Sequence, residues 1–166
     1  MKRLVAVPLL FAAAIALAQG GPLRWQHITS GDGKFSFSMP AQPSYKTQTL
    51  TAKNGQPVRY TTYTVDLGRS AYMVSTSDYD SRTRISLDGA IEGVLSSWQK
   101  PRIVERRNAR LYGHPGQIVD FSSGDFRVLV RAFVVGRRLY QLGFIERMDE
   151  FVPSHAERFM SSLRLR

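Results

Sequence analysis

Cysteine is missing altogether from the 166 residues. Its absence excludes disulfides, thiol nucleophiles, thiolate metal ligands and the cysteine that carries a lipoprotein anchor. Histidine is scarce: only His27, His114 and His155 occur, with no H-x-x-x-H spacing among them. The sequence therefore offers no zinc set. G-x-S-x-G is absent, and no glycine-rich loop separates a strand from a helix, so neither a nucleophile elbow nor a phosphate cradle is expected. Asp78-Tyr79-Asp80-Ser81 begins like a calcium loop but lacks the following glycine and the distant glutamate. Asp120, Asp125 and Glu146 fall on neighbouring late strands and read as exposed solubilising acids. No catalytic residue, cofactor or metal ligand is expected.

Acidic side chains are in short supply. Thirteen Asp and Glu face twenty-three Lys and Arg, a formal net charge of +10. The excess is uneven: residues 100–166 hold thirteen basic side chains, twelve of them arginine, against seven acidic ones. Outside the cytoplasm such a surface attracts an acidic envelope protein, an anionic glycan or lipid head groups. The plainer account is a solvated basic face.

Long apolar runs are limited to one place, Leu4 to Ile15, broken only by Pro8. Lys2 and Arg3 precede it, and Ala16-Leu17-Ala18 follows with the small-x-small pattern of a signal-peptidase site. The run is shorter than the roughly 20 residues that span a bilayer. Residues 1–18 thus read as a signal peptide and 19–166 as one exported domain, periplasmic or secreted, with no transmembrane segment. Export makes nucleic acid an unsuitable partner despite the basic charge.

What remains is patterned. Lys34 to Met39 alternates, with Phe35, Phe37 and Met39 on one face of a half-buried strand. Strands are expected at Tyr45–Ala52, Val58–Asp66 and Ala71–Ser77, the first pair joined by a hairpin at Lys53-Asn54-Gly55-Gln56. The period then changes. Leu87, Ala90, Ile91, Val94, Leu95 and Trp98 lie on one helical face, with Ser86 as N-cap and Lys100-Pro101 as the stop. Strands resume at Arg102–Tyr112, Gln117–Phe121, Phe126–Val135 and Arg138–Ile145, with a turn at His114-Pro115-Gly116. Pro153 opens a second helix with Ala156, Phe159, Met160 and Leu163 inward. Tight turns permit antiparallel neighbours only, so the fold class is α+β, an antiparallel sheet with helices packed on it.

The arginines supply the strongest polar pattern. Arg102, Arg106 and Arg110 occupy even positions of one strand and point away from Ile103, Ala109 and Leu111. On Phe126–Val135, Arg127 and Arg131 share a face with Leu129 and Phe133. If the two strands lie in one sheet, Arg102, Arg106, Arg110, Arg127, Arg131 and an exposed Phe133 form a single partner-binding surface. The alternative is arginine stems packed beneath a helix with their heads at its rim.

One further pattern extends over roughly residues 24–165. It comprises Trp25, Gly33-x-Phe35-x-Phe37-x-x-Pro40-x-x-Pro43, Gly113-x-Pro115-Gly116, Arg131-x-Phe133, Gly136-x-Arg138-Leu139-Tyr140-x-Leu142 and Phe159-Met160-x-Ser162-Leu163. This resembles the PsbP-like superfamily of small extracytoplasmic proteins. The resemblance implies a central antiparallel sheet with helices on its faces and an accessory or partner-binding role. It carries over no catalytic motif, because the pattern consists of turns, core aromatics and the last helix, and a fold does not fix a function. Three functions follow for testing: an exported non-enzymatic binding module of the envelope, a carrier of an apolar small molecule or lipid, and a small hydrolase with a site assembled from scattered polar residues.

Overall fold

Alternation of apolar and polar side chains builds most of the described residues into strands. The computed structural model describes residues 23–52 and 54–166; the segment read as a signal peptide lies outside them. In chain order the elements are β1 (Gln26–Thr29), β2 (Phe35–Met39), β3 (Ser44–Thr51), β4 (Pro57–Asp66), β5 (Ser70–Asp78), α1 (Leu87–Ser96), β6 (Arg102–Leu111), β7 (His114–Ser123), β8 (Phe126–Val135), β9 (Arg138–Arg147), α2 (Pro153–Met160) and β10 (Arg164–Leu165). A short 3-10 turn, Met148–Glu150, links β9 to α2.

Seven strands form an antiparallel sheet in the order β3-β4-β5-β9-β8-β7-β6. Each face of it buries one apolar cluster. On one side α1 inserts Ala90, Ile91, Val94 and Leu95 against Val58, Met73, Val119, Phe121, Val128 and Val130. On the other, α2 and β2 together bring Phe159, Met160, Phe35, Phe37 and Met39 onto Tyr63, Tyr72, Phe133, Leu142 and Phe144. The expected α+β architecture is therefore present. Its second, three-stranded sheet, β1-β2-β10, was not expected, because β1 and β10 are only four and two residues long.

Local chemistry explains the element ends. Ser86 caps α1 through its Oγ, which accepts the Gly89 N–H at 3.0 Å. The helix closes at Ser96, before Trp98, which still packs edge-on against Phe121 at 5.8 Å between ring centroids. Pro153 stands in the first turn of α2, where its missing N–H costs nothing. Among the described residues of the β3–β4 loop, Gly55 takes a positive φ and Asn54 does not, and the strands end five residues apart, so the loop is longer than a two-residue hairpin.

The β6–β7 turn lies two residues earlier than its proline suggests. Tyr112 and Gly113 have φ of 49° and 82°, the pair of left-handed angles that a tight hairpin requires. Pro115 belongs to β7 but lies beyond the β8 pairing, which starts at Gly116 opposite Phe133, so no bond to β8 is lost. Gly116 itself is required by packing. A Cβ there would stand 2.2 Å from Phe133 Cδ1 and 2.6 Å from the Ala132 carbonyl oxygen.

Candidate functional site

The six residues proposed as one surface do not share one face. Register decides this. Arg106 pairs with Val119 and Arg110 with Pro115, which places both on the α1 side of the sheet. Arg127, Arg131 and Phe133 pair with Ser122, Ile118 and Gly116, on the α2 side. Arg102 pairs with Ser122 and therefore also lies on the α2 side, because Val104 is an extra residue between the Ile103 and Glu105 registers. This bulge reverses the alternation within β6. It separates Arg102 from Arg106 and Arg110, and no alternation count anticipates it.

Most of the six are already engaged. Arg106 donates from Nη1 to Glu92 at 2.6 Å and from Nη2 to Asp88 at 3.0 Å, fastening α1 to the sheet edge. Arg127 makes a two-pronged contact with Asp120, at 3.1 Å and 2.7 Å, and lies 4.3 Å over the Phe151 ring. Arg110 donates to the Gly113 carbonyl across its own hairpin. Phe133, expected to be exposed, is 5% exposed and lies over Gly116 in the core. Of the three carboxylates read as solubilising acids, Asp125 is exposed, but Asp120 and Glu146 are buried: Asp120 holds Arg127, and Glu146 accepts the Val152 N–H at 2.8 Å.

Arg131 differs. Among the described residues no carboxylate pairs with it, and its one hydrogen bond runs from Nη1 to the Met160 carbonyl at 2.9 Å. That carbonyl closes α2, where the negative end of the helix dipole favours a cation. Burial lowers the guanidinium's proton affinity, Arg107 lowers it further, and Glu157 opposes them. Arg131 is thus a half-buried cation with unused donors. It opens into a cleft of about 350 Å³ that Arg107, Arg110, Leu111, Ile118, Phe133 and Leu163 also line, so three of the six expected residues, Arg110, Arg131 and Phe133, do border one cleft. Arg107 is the residue that the sequence reading missed. It sits one position from Arg106 and therefore on the opposite side of β6, with Ala109 and Leu111. The same odd-position set that looked like the apolar side carries it, which was the available signal.

A second depression, of about 410 Å³, lies beside β9 and the C-terminus, among Lys34, Tyr79, Arg137, Arg138, Tyr140 and Arg166. Its central cation is neutralised: Arg138 donates to Asp78 at 3.0 Å and to Asp32 at 2.6 Å. A cation already holding two carboxylates has little left for a ligand. The cleft at Arg131 is the better candidate.

No family model and no curated protein matches the chain. Solved structures do. The solution structure of cyanobacterial PsbP (CyanoP) from Synechocystis sp. PCC 6803 superposes with a TM-score of 0.57 at 12% identity, covering 95% of this chain and 99% of that one. A Pseudomonas aeruginosa protein of unknown function gives a TM-score of 0.43 at 9% identity, over 80% of this chain and 89% of that one. Identity at that level speaks to architecture and not to activity. With the layered arrangement described above, the first of these likenesses establishes that the chain has the PsbP-like fold.

Proposed function

We propose that this protein is an exported, non-enzymatic accessory module of the cell envelope that binds an acidic partner protein at the Arg107–Arg131 cleft. The observation that carries the reading is Arg131: a half-buried guanidinium that forms no ion pair with a carboxylate among the described residues, beside Arg107, Arg110 and an apolar wall. A half-buried cation that no carboxylate contacts directly is partly desolvated at a cost, and an incoming carboxylate offsets that cost. Apolar walls formed by Leu111, Phe133 and Leu163 add burial next to the charge. Export rests on residues 1–18, with cleavage after Ala18 releasing 19–166 as a single domain, periplasmic or secreted.

The test is retention of envelope proteins from the source cell on immobilised protein, wild type against R107E, at low and high salt. A protein retained by the wild type and lost with R107E supports the reading. Equal retention by both overturns the cleft as the binding site. Fractionation of the same cells, with the mass of the mature chain, tests export: a cytoplasmic protein that keeps residues 1–18 contradicts it.

A further inference from the structure

Three arginines of β8 and β9 show which edge of a guanidinium holds a carboxylate. Arg127 grips Asp120 with Nε at 3.1 Å and Nη2 at 2.7 Å. Arg138 grips Asp78, and Arg147 grips Asp149, with the same two nitrogens. Each time the Nε–Nη2 edge lies along both carboxylate oxygens, the two-pronged match of two planar groups. Arg131 is held in another way. Its Nη1 is tethered to the Met160 carbonyl at 2.9 Å, while Nε and Nη2 donate to no described residue. The tether thus uses the one nitrogen that lies outside the carboxylate-holding edge. Glu157, on α2, attracts the guanidinium through space but forms no ion pair with it.

What surrounds that edge selects the acid. Ile118 is the cross-strand neighbour of Arg131 and separates it from Arg107 in one row of the sheet. Phe133 follows two positions along β8 on the same face, and Leu163 lines the cleft from the chain after α2. At about 350 Å³ the cleft is near the lower end of ligand pockets, roughly 300–1,000 Å³, and admits no broad protein surface. An Asp or Glu within a chain would carry a peptide group on each side of it against these apolar walls. Peptide groups buried there without partners are costly. A chain terminus enters carboxylate first, with one side chain beside the charge and one peptide group behind it.

We infer that Arg131 reads the free C-terminal carboxylate of the partner, whose last side chain is apolar and packs among Ile118, Phe133 and Leu163. The carboxylate lies along Nε and Nη2, and the Met160 tether keeps that edge oriented before the partner arrives. Arg107 and Arg110 line the same cleft from the exposed strand β6, where they attract acids that precede the terminus and speed encounter. Capture of a chain end by its carboxylate is a known mode of peptide recognition. The inference rests on the binding role proposed for the cleft and names the part of the partner that enters it.

Four ligands separate the possibilities when titrated into the protein. The first is an acetylated acidic peptide ending in Leu with a free carboxylate; the second is its C-terminal amide. The third is that amide with Glu in place of the last Leu, and the fourth is octanoate. The free carboxylate is expected to bind at least tenfold more tightly than the other three, and R131Q should lose that advantage. The Arg131 Nε–H resonance of the wild type should shift with the free carboxylate and stay in place with the amide, a readout that does not need R131Q to fold. A Glu amide that matches the free carboxylate, or equal binding of all three peptides lost with R107E, overturns terminus capture while leaving an acid-binding cleft. Absence of binding by any ligand at low salt overturns both. Octanoate binding more tightly than every peptide assigns the cleft to a small apolar acid and likewise overturns both.

Discussion

A Cβ added at Gly116 would meet the Phe133 ring at 2.2 Å and the Ala132 carbonyl at 2.6 Å, and backbone cannot yield as a flexible side-chain tip can. Gly116→Ala should therefore cost about 3 kcal/mol, the upper range for overpacking a core, seen as a lower urea midpoint with an unchanged slope. A loss under about 0.5 kcal/mol would mean that β7 and β8 separate easily there. Glu146 makes the opposite kind of prediction. Burial raises its carboxyl pKa, against the Val152 N–H and His155, which lower it. A folded pKa above the unfolded value contributes stability below the ordinary carboxyl range and loses it as pH rises through the shifted pKa. Glu146→Gln keeps an oxygen for the Val152 N–H and never carries the charge. The variant should gain on the wild type in urea unfolding as pH rises above the ordinary carboxyl value of 4.5. A wild type that gains instead would show that a neighbouring cation favours the carboxylate.

Among the elements, α1 owes its start to one side chain. Ser86 satisfies a free N–H of the first turn, and Ser86→Ala should cost about 1 kcal/mol, a few degrees in thermal midpoint. Because α1 also carries Asp88 and Glu92, its first turns hold Arg106 at the sheet edge. No change in midpoint would place the stability of α1 in its apolar stripe alone. The spacing of Leu87, Ala90, Ile91, Val94 and Leu95 made this helix legible from the sequence, as Pro153 did for α2. The short strands β1 and β10 were not legible. Four and two residues carry too little period to register, and β10 exists because Arg164 and Leu165 pair with Ser36 and Phe35.

Across the whole molecule, Arg138 joins parts distant in the chain. It bridges Asp78, at the end of β5, to Asp32, in the turn between β1 and β2, and so fastens the small sheet to the large one. Burial alone would raise the Asp32 carboxyl; the Ser30 hydroxyl, the Lys34 N–H and Arg138 outweigh it and hold the pKa at about 2, against 3.8 ordinarily. A depressed carboxyl pKa contributes stability that is present above 3.8 and lost as pH falls through about 2. Arg138→Gln should cost about 2 kcal/mol at neutral pH, between an exposed pair and a fully buried one. It should also move the acid-unfolding limb to higher pH and speed hydrogen exchange in β1 and β2 ahead of the large sheet. Unchanged exchange in those two strands would show that the apolar contacts of Phe35, Phe37 and Met39 hold the small sheet unaided.

Strand and helix periods, caps, tight turns and the lack of cysteine are properties of neighbouring residues, so the sequence alone determined the α+β class and most of its elements. The resemblance in core aromatics carried the fold further, to the PsbP-like arrangement that the structure shows. Which arginine is available was a different question. Arg106, Arg127 and Arg131 look alike along the chain, yet Asp88 and Glu92 take the first, Asp120 takes the second, and the third meets only a helix-end carbonyl. Those partners come from other elements, and one unpaired residue, Val104, reverses which side of β6 each arginine faces. Pairing over such distances depends on register and on what packs above the sheet, and only the tertiary structure decides either.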